Sequence, residues 1–406
     1  MSAVAHADPP PARVRTRTGD LLDRAPMAML VVLVGLRVLT VGLLATDIIR
    51  HDVQDPDAQR AQRIVTSPAT PYRDFPVEYM PLETLVLHGV VGPTLDVTVV
   101  RYAVLALVAD LAAAVGIAWG WRRRDALLYL LIGTPLLAFG YQRFDYVPIA
   151  FAVWAMAILL RRGDDPRAGV AFGLAILAKL WPVVLLPVLV LRRARRAMVS
   201  ALITLGVAGL AWVAISGPKA PFQVISFRGA TGWAIESTVG NLVWIVTGGQ
   251  IYPQAGAARI GDAPSWAKGV LLLILLAGLI LIWRRAHRED RTLSGSASLA
   301  AVLALLVGSP LFSTQYVAWL TPWAALAFAA DDRDARRMAV LAITAVAITG
   351  MIHASYLTRS PLTNVTEKYG LLARNVLCVL AVGGWLLTCV RQELELRRSA
   401  ATAAAG

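Results

Sequence analysis

Carboxylate side chains are concentrated between His51 and Glu83, directly after the first long apolar run of the chain. The stretch HDVQDPDAQRAQRIVTSPATPYRDFPVEYMPLE carries them at Asp52, Asp55, Asp57, Asp74, Glu78 and Glu83. A carboxylate in a concave, partly dehydrated site can act as a general base, removing the proton of a sugar hydroxyl as that hydroxyl attacks an activated donor. A solvated acidic loop is the alternative interpretation of the same residues.

Three ionisable residues stand in apolar surroundings further along the chain. Arg143 and Asp145 lie in YQRFDY between two short apolar runs, and Lys179 stands alone inside another. Ionisable groups at membrane depth are costly and point to function or to a charged partner, such as a lipid phosphate for Lys179. A local Arg143–Asp145 ion pair, and a Lys179 side chain that reaches the membrane surface, are the structural alternatives.

Other segments add polar and aromatic candidates for binding phosphate or sugar. They are Arg228, Trp233, Glu236, Ser237 and Asn241 in SFRGATGWAIESTVGN, Gln315, Tyr316 and Trp319 in SPLFSTQYVAWLTPW, and His353. No metal-ligand motif, phosphate-binding glycine loop or nucleophile elbow is evident, so the sequence predicts no metal centre and no cofactor.

The elements that position these residues are predicted to be membrane helices. The 406 residues are 57% hydrophobic and 16% charged, and soluble domains carry roughly 25% charged residues. Apolar runs of about 20 residues recur throughout, which predicts an all-α polytopic membrane protein. The net charge of +13 comes from short basic clusters between the runs, which indicates membrane topology and no nucleic-acid partner.

The basic clusters also predict the orientation. Placing them in the cytoplasm gives about 12 transmembrane helices in the plasma membrane, with both termini inside. We expect a cytoplasmic segment at residues 1–26, a membrane domain at 27–391 and a cytoplasmic tail at 392–406. Two large external loops are expected, at about 47–97 and about 217–269, and the second has a composition that suits a cover over a site.

One apolar segment, AGVAFGLAILAKLWPVVLLPVLV, is too short for two complete spans, although the alternation of basic clusters requires two crossings there. Two short, broken helices meeting near Lys179 and Pro182 satisfy the alternation and imply an open cavity. A single tilted span is the alternative.

Several segments together, from about Asp52 to Trp323, resemble a known family in their order and placement. They are PYRDFPVEYMPLE, QRFDYVPIAFAVWAM, AGVAFGLAILAKLWPVVLLPVLV, FRGATGWAIES and STQYVAWLTPW. The chain resembles the integral-membrane glycosyltransferases of the GT-C class, and within it the alpha-mannosyltransferases that use polyprenyl-phosphate mannose in actinobacterial-type envelopes.

The resemblance implies a GT-C-like helical bundle and an inverting hexosyltransferase whose active site faces outward. The donor would be a polyprenyl-phosphate sugar, the acceptor an envelope glycolipid or polysaccharide, and membrane lipids would surround the protein. It implies a first-loop Asp as general base, with Asp52 the first choice and Asp55 and Asp57 the next. Lys179 and Arg228 are the first candidates to hold the donor phosphate, and Arg143 and His353 are the next. The expected substrate-binding residues are Tyr72, Asp74, Glu78, Tyr79, Asp145, Trp233, Glu236, Gln315 and Trp319.

Two other functions remain open at this point. A transporter or lipid flippase would use Arg143, Asp145 and Lys179 as a coupling or substrate site near the middle of the membrane. A non-catalytic partner in an envelope-synthesis complex would need none of these residues for chemistry.

Overall fold

The protein is described by a computed structural model that covers residues 27–46, 56–225, 230–288, 295–358 and 360–405. Its α-helices are α1 Met27–Ala45, α2 Pro56–Thr66, α3 Pro81–Val90, α4 Leu95–Gly120, α5 Arg123–Gly133, α6 Leu137–Gly140, α7 Tyr146–Arg162, α8 Pro166–Ala178, α9 Pro187–Leu191, α10 Arg195–Ser216, α11 Ala220–Ile225, α12 Thr238–Thr247, α13 Ser265–Arg288, α14 Ser296–Gly308, α15 Thr321–Phe328, α16 Arg333–Leu357 and α17 Thr363–Ala405. Short 3-10 helices occupy Thr134–Leu136, Trp181–Leu185 and Thr314–Leu320.

Six helices in the described part of the chain are long and apolar enough to cross a membrane, namely α1, α4, α10, α13, α16 and α17. This bears out a polytopic helical membrane protein but does not confirm the predicted number of about 12 spans. The described part of the chain also contains apolar helices that are shorter than these six. The 13 residues of α8, for example, rise only about 20 Å, which is less than a bilayer core.

The predicted break near Lys179 is confirmed. Helix α8 ends at Ala178, and Lys179 itself is extended, with φ −159° and ψ 142°. The chain then resumes as the 3-10 helix Trp181–Leu185 and as α9, each with a proline in its first turn. A proline lacks the N–H that a helix interior requires, so it favours a new helix start over continuation of the old one.

A small antiparallel sheet departs from the predicted all-α fold. Strands β1 (Trp233–Ala234), β2 (Ile251–Gln254) and β3 (Ala257–Ile260) are ordered β1-β3-β2. Ala255 and Gly256 join β2 to β3 with φ of 50° and 75°. Two positive φ values match the twist of a tight hairpin. This turn therefore stabilises strands in a segment whose composition is typical of a loop.

Close helix packing brings the elements of the site together. Helix α8 packs along α7 and α10, and α16 packs along α17. The last helix runs without interruption from the predicted membrane domain through the predicted tail, as far as Ala405. A separate small core of Trp233, Ile235, Ile260 and Ala263 lies under the sheet.

Candidate active site

A cavity of about 960 Å³ opens where the short helices meet. Its walls come from α2, α3, the loop before α7, the break after α8, the β2–β3 hairpin and the 3-10 helix Thr314–Leu320. Both apolar and charged side chains line it. A concave, mixed lining of this kind is typical of a small-molecule site.

Asp57 and Arg143 form an ion pair in this cavity. Arg143 Nη1 lies 3.1 Å from Asp57 Oδ1, and both side chains are almost completely buried. The hydroxyl of Tyr79 donates to the same carboxylate oxygen at 3.2 Å. Burial by itself would raise the pKa of Asp57, but the nearby cations Arg143, Lys179 and Arg60 outweigh it and hold that pKa below its usual value. Asp57 is therefore a carboxylate at neutral pH.

The loop that carries Arg143 is anchored by a buried polar network. Tyr141 donates its hydroxyl to Asp110 Oδ2 at 2.8 Å, and Tyr129 donates to Asp110 Oδ1 at 2.5 Å. Arg37 Nε, on α1, lies 2.8 Å from the same Asp110 carboxylate. Buried charges stay only where they are paired, so this network ties α1, α4 and α5 to the loop before α7.

A second ion pair lies at the break after α8. Lys179 Nζ is 3.1 Å from Asp145 Oδ1, and the indole N–H of Trp319 donates to the same oxygen at 2.5 Å. The Asp145 side chain is only 1% exposed, whereas that of Lys179 is 18% exposed. Because helix α8 stops at Ala178, the backbone turns and Lys179 reaches the cavity.

Aromatic rings form one wall beside Lys179. The rings of Trp181 and Trp319 stack with centroids 5.3 Å apart, and those of Tyr316 and Trp319 stack at 4.1 Å. Lys179 Nζ lies 5.2 Å from the centroid of Tyr316. An aromatic wall next to a cation suits a ligand with both an apolar face and an anionic group.

Two acidic residues of the first loop complete this end of the cavity. Arg60 forms an ion pair with Glu78. It also donates a hydrogen bond to the carbonyl oxygen of Gly256 at the hairpin tip, at 3.3 Å. The nearby side chain of Glu83 is 2% exposed and lines the cavity.

Polar groups also line the part of the cavity that α16 and α17 reach. Ser313 Oγ donates to Glu236 Oε2 at 2.9 Å, and Tyr356 and Glu367 line the same cavity. His353 is stacked on Phe139 at 3.7 Å between ring centroids.

Most of the predicted site residues lie together in this cavity. Those lining it are Asp57, Glu78, Tyr79, Arg143, Lys179, Glu236, Gln315, Trp319 and His353. Asp145 stands directly behind Lys179. Three predicted residues lie elsewhere, namely Tyr72 (bonded to the Tyr79 carbonyl), Asp74 (paired with Arg73) and Trp233 (in the small core under the sheet). Asp52, Asp55 and Arg228 lie outside the described residues.

Several residues that line the cavity were not assigned to the predicted site, among them Arg60, Glu83, Trp181 and Tyr316. Arg60 could have been found, because it lies one helical turn after Asp57 in the amphipathic helix α2. Tyr316 was noted as a binding candidate beside Gln315 and Trp319, but it was not assigned to the site. Nothing in the sequence sets Glu83 apart from the other loop carboxylates. Among the described residues, no group of three or more His, Cys, Asp or Glu side chains is placed to hold a metal ion.

Comparison with protein-family models matches residues 97–314 to glycosyltransferase family 87. Comparisons with curated proteins and with solved structures give no match. The matched region contains Arg143, Asp145, Lys179 and Glu236, and it begins after Asp57. Since the match covers more than half of the chain, this membrane-embedded protein belongs to glycosyltransferase family 87.

Proposed function

We propose that the protein transfers a hexose, with mannose as the first candidate, from a polyprenyl-phosphate donor to an envelope glycolipid or polysaccharide. The transfer would take place at the external face of the plasma membrane and invert the anomeric centre. Membership of family 87 supports sugar transfer in general. The finer assignment of donor and acceptor rests on the motif resemblance and on the chemistry of the cavity.

The observation that carries the proposal is the Asp57–Arg143 ion pair, with an N–O distance of 3.1 Å inside the cavity. A transfer from a lipid phosphate needs a base for the acceptor hydroxyl and cations for the departing phosphate. Asp57 can serve as the base, and Arg143 and Lys179 can hold the phosphate. The aromatic wall beside Lys179 suits the apolar face of the sugar ring.

The reaction is a single displacement. The acceptor oxygen forms a bond to the anomeric carbon as the bond from that carbon to the phosphate oxygen breaks. The acceptor proton passes to the first-loop aspartate, and the electron pair of the broken bond stays on the lipid phosphate. Attack opposite the leaving group inverts the anomeric centre.

The test uses the full chain in lipid nanodiscs with polyprenyl-phosphate mannose and a membrane glycolipid extract. Wild-type protein should form mannosylated lipid, and Asp57→Asn should lower kcat by at least about 100-fold because the base is lost. Asp334→Asn is the matched control, since Asp334 is an exposed residue paired with Arg337 in the next turn of α16.

Each other outcome changes a named part of the proposal. Full activity of Asp57→Asn would move the base to Asp52 or Asp55, which are then changed in the same assay. Transfer from polyprenyl-phosphate arabinose but not from the mannose donor would correct the sugar. Transfer from neither donor would contradict the dependence on a polyprenyl phosphate.

A further inference from the structure

Glu83 is a buried carboxyl that the reaction described above does not use. It stands in the first turn of α3, is 2% exposed and lines the cavity. Its side chain makes no hydrogen bond and no ion pair with any residue in the described part of the chain. A buried polar side chain that faces a cavity without a partner is available to a ligand.

Four charged groups act most strongly on Glu83, and they come from separate parts of the chain. They are Lys179 after α8, Asp57 on α2, Asp145 before α7, and Glu78 before α3. Lys179 attracts a negative charge on Glu83, and the three carboxylates repel it. This surrounding favours the neutral, protonated form of the side chain.

The cations at this end already have carboxylate partners. Arg143 pairs with Asp57, Lys179 pairs with Asp145, and Arg60 pairs with Glu78. These three pairs are neutral overall. A departing phosphate therefore gains negative charge among carboxylates, in a buried site where like charges repel strongly.

The leaving group has a specific need for a proton. Breaking the bond from the anomeric carbon to oxygen turns a phosphodiester into a phosphomonoester, which adds one negative charge. The second ionisation of such a monoester has a pKa of about 6. A neighbouring carboxylic acid can supply that proton as the bond breaks, which is general-acid catalysis.

We propose that Glu83 is the general acid that protonates the departing lipid phosphate. This inference rests on the proposed function. In the step, the electron pair of the broken bond stays on the phosphate oxygen and the Glu83 proton is transferred to the phosphate. The acceptor proton goes to the first-loop aspartate. After product release, proton exchange with solvent returns Glu83 to its protonated form and the aspartate to its carboxylate form.

The protonation state of Glu83 agrees with this function. Burial, together with the Asp57, Asp145 and Glu78 carboxylates, raises the pKa of Glu83 well above its usual value, against the opposing effect of Lys179. An acid catalyst is active only while protonated, so the rate should fall as pH rises through that pKa. The carboxylate of Asp57 has the opposite shift, which separates the two groups on the pH scale.

The test compares kcat against pH for wild type, Glu83→Gln and the matched control Glu395→Gln. Glu83→Gln keeps the size of the side chain and a hydrogen-bond donor, but it cannot release a proton. We expect its kcat to drop about 100-fold and the alkaline limb of the profile to disappear. Glu395→Gln should keep that limb, because Glu395 is an exposed residue near the end of α17.

A change of leaving group separates proton transfer from a merely structural effect. A donor with a phosphorothioate in place of the phosphate releases a less basic group, so the defect of Glu83→Gln should shrink about tenfold on it. The infrared carbonyl band of a protonated carboxyl, present in wild type and absent in Glu83→Gln, reports the proton without any need for turnover.

The result that overturns the inference is distinct from failure of the proposed function. An active wild type whose Glu83→Gln variant keeps the alkaline limb, or is equally impaired with both donors, rules out Glu83 as the acid. The inference is also wrong if wild type lacks the carbonyl band. A wild type that transfers nothing from polyprenyl-phosphate sugars overturns the proposed function and this inference with it.

Discussion

At the scale of single residues, the site is built from buried ion pairs whose partners depend on each other. Asp145 is 1% exposed, and its carboxylate is satisfied by Lys179 and by the indole N–H of Trp319. Taking one member of a buried pair away leaves the other charge without compensation. Removing both members avoids that cost.

This gives a prediction for Lys179. We expect Lys179→Met to lower the free energy of unfolding by about 3 kcal/mol, because the Asp145 charge is left buried without its cation. The double variant Lys179→Met, Asp145→Asn should regain most of that stability while remaining inactive. Denaturant titration of the detergent-solubilised protein, together with the transfer assay, measures both effects. A single variant as stable as wild type would show that Lys179 does not compensate Asp145.

At the scale of elements, the position of Lys179 depends on how closely α8 approaches α10. A Cβ atom on Gly169 would come within 1.8 Å of the Ala197 carbonyl oxygen, and one on Gly173 within 2.7 Å of Thr204. Small residues spaced four apart allow two membrane helices to approach in this way.

We therefore expect Gly169→Ala to push α8 away from α10 and to destabilise the protein by about 2 kcal/mol. The Michaelis constant for the donor should rise, since α8 ends next to Lys179. Gly206→Ala on α10 is the matched control, because nothing lies within 4 Å of its added Cβ. Thermal unfolding and donor titration distinguish the two. Equal behaviour of both variants would contradict a tight α8–α10 contact.

At the scale of the whole molecule, the charge distribution predicts an orientation in the membrane. The basic clusters predict that the first loop lies outside and the C-terminal end inside. Thr66 in the first loop and Ser399 near the end of α17 are both exposed, whereas the native Cys378 and Cys389 are buried.

A membrane-impermeant maleimide can test this orientation in intact cells. Thr66→Cys should be labelled directly, and Ser399→Cys only after the membrane is permeabilised. Wild-type protein serves as the background, because its two thiols are buried. Labelling of Ser399→Cys in intact cells would place the C-terminus outside and reverse the proposed side of the active site.

Much of the site was recognisable in the sequence because some of its charged residues lie in apolar segments, where an unpaired charge costs free energy. Arg143, Asp145 and Lys179 interrupt apolar segments, and a charge there needs a partner. Glu83 gave no such signal, because a carboxylate in a polar loop has no cost until folding buries it. The hairpin at Ala255 and Gly256 was missed for a similar reason, since its φ values appear only in three dimensions.

The sequence by itself determined the helical membrane architecture and favoured a break near Lys179 over a single tilted span, because hydrophobic run length and proline placement act locally. Only the tertiary structure decided which cation pairs with which carboxylate, such as Arg143 with Asp57 and Arg60 with Glu78. It also decided which apolar runs of the described chain form helices long enough to cross a membrane. These outcomes depend on contacts between distant parts of the chain, where burial and Coulomb energy are set by neighbours that no local pattern specifies.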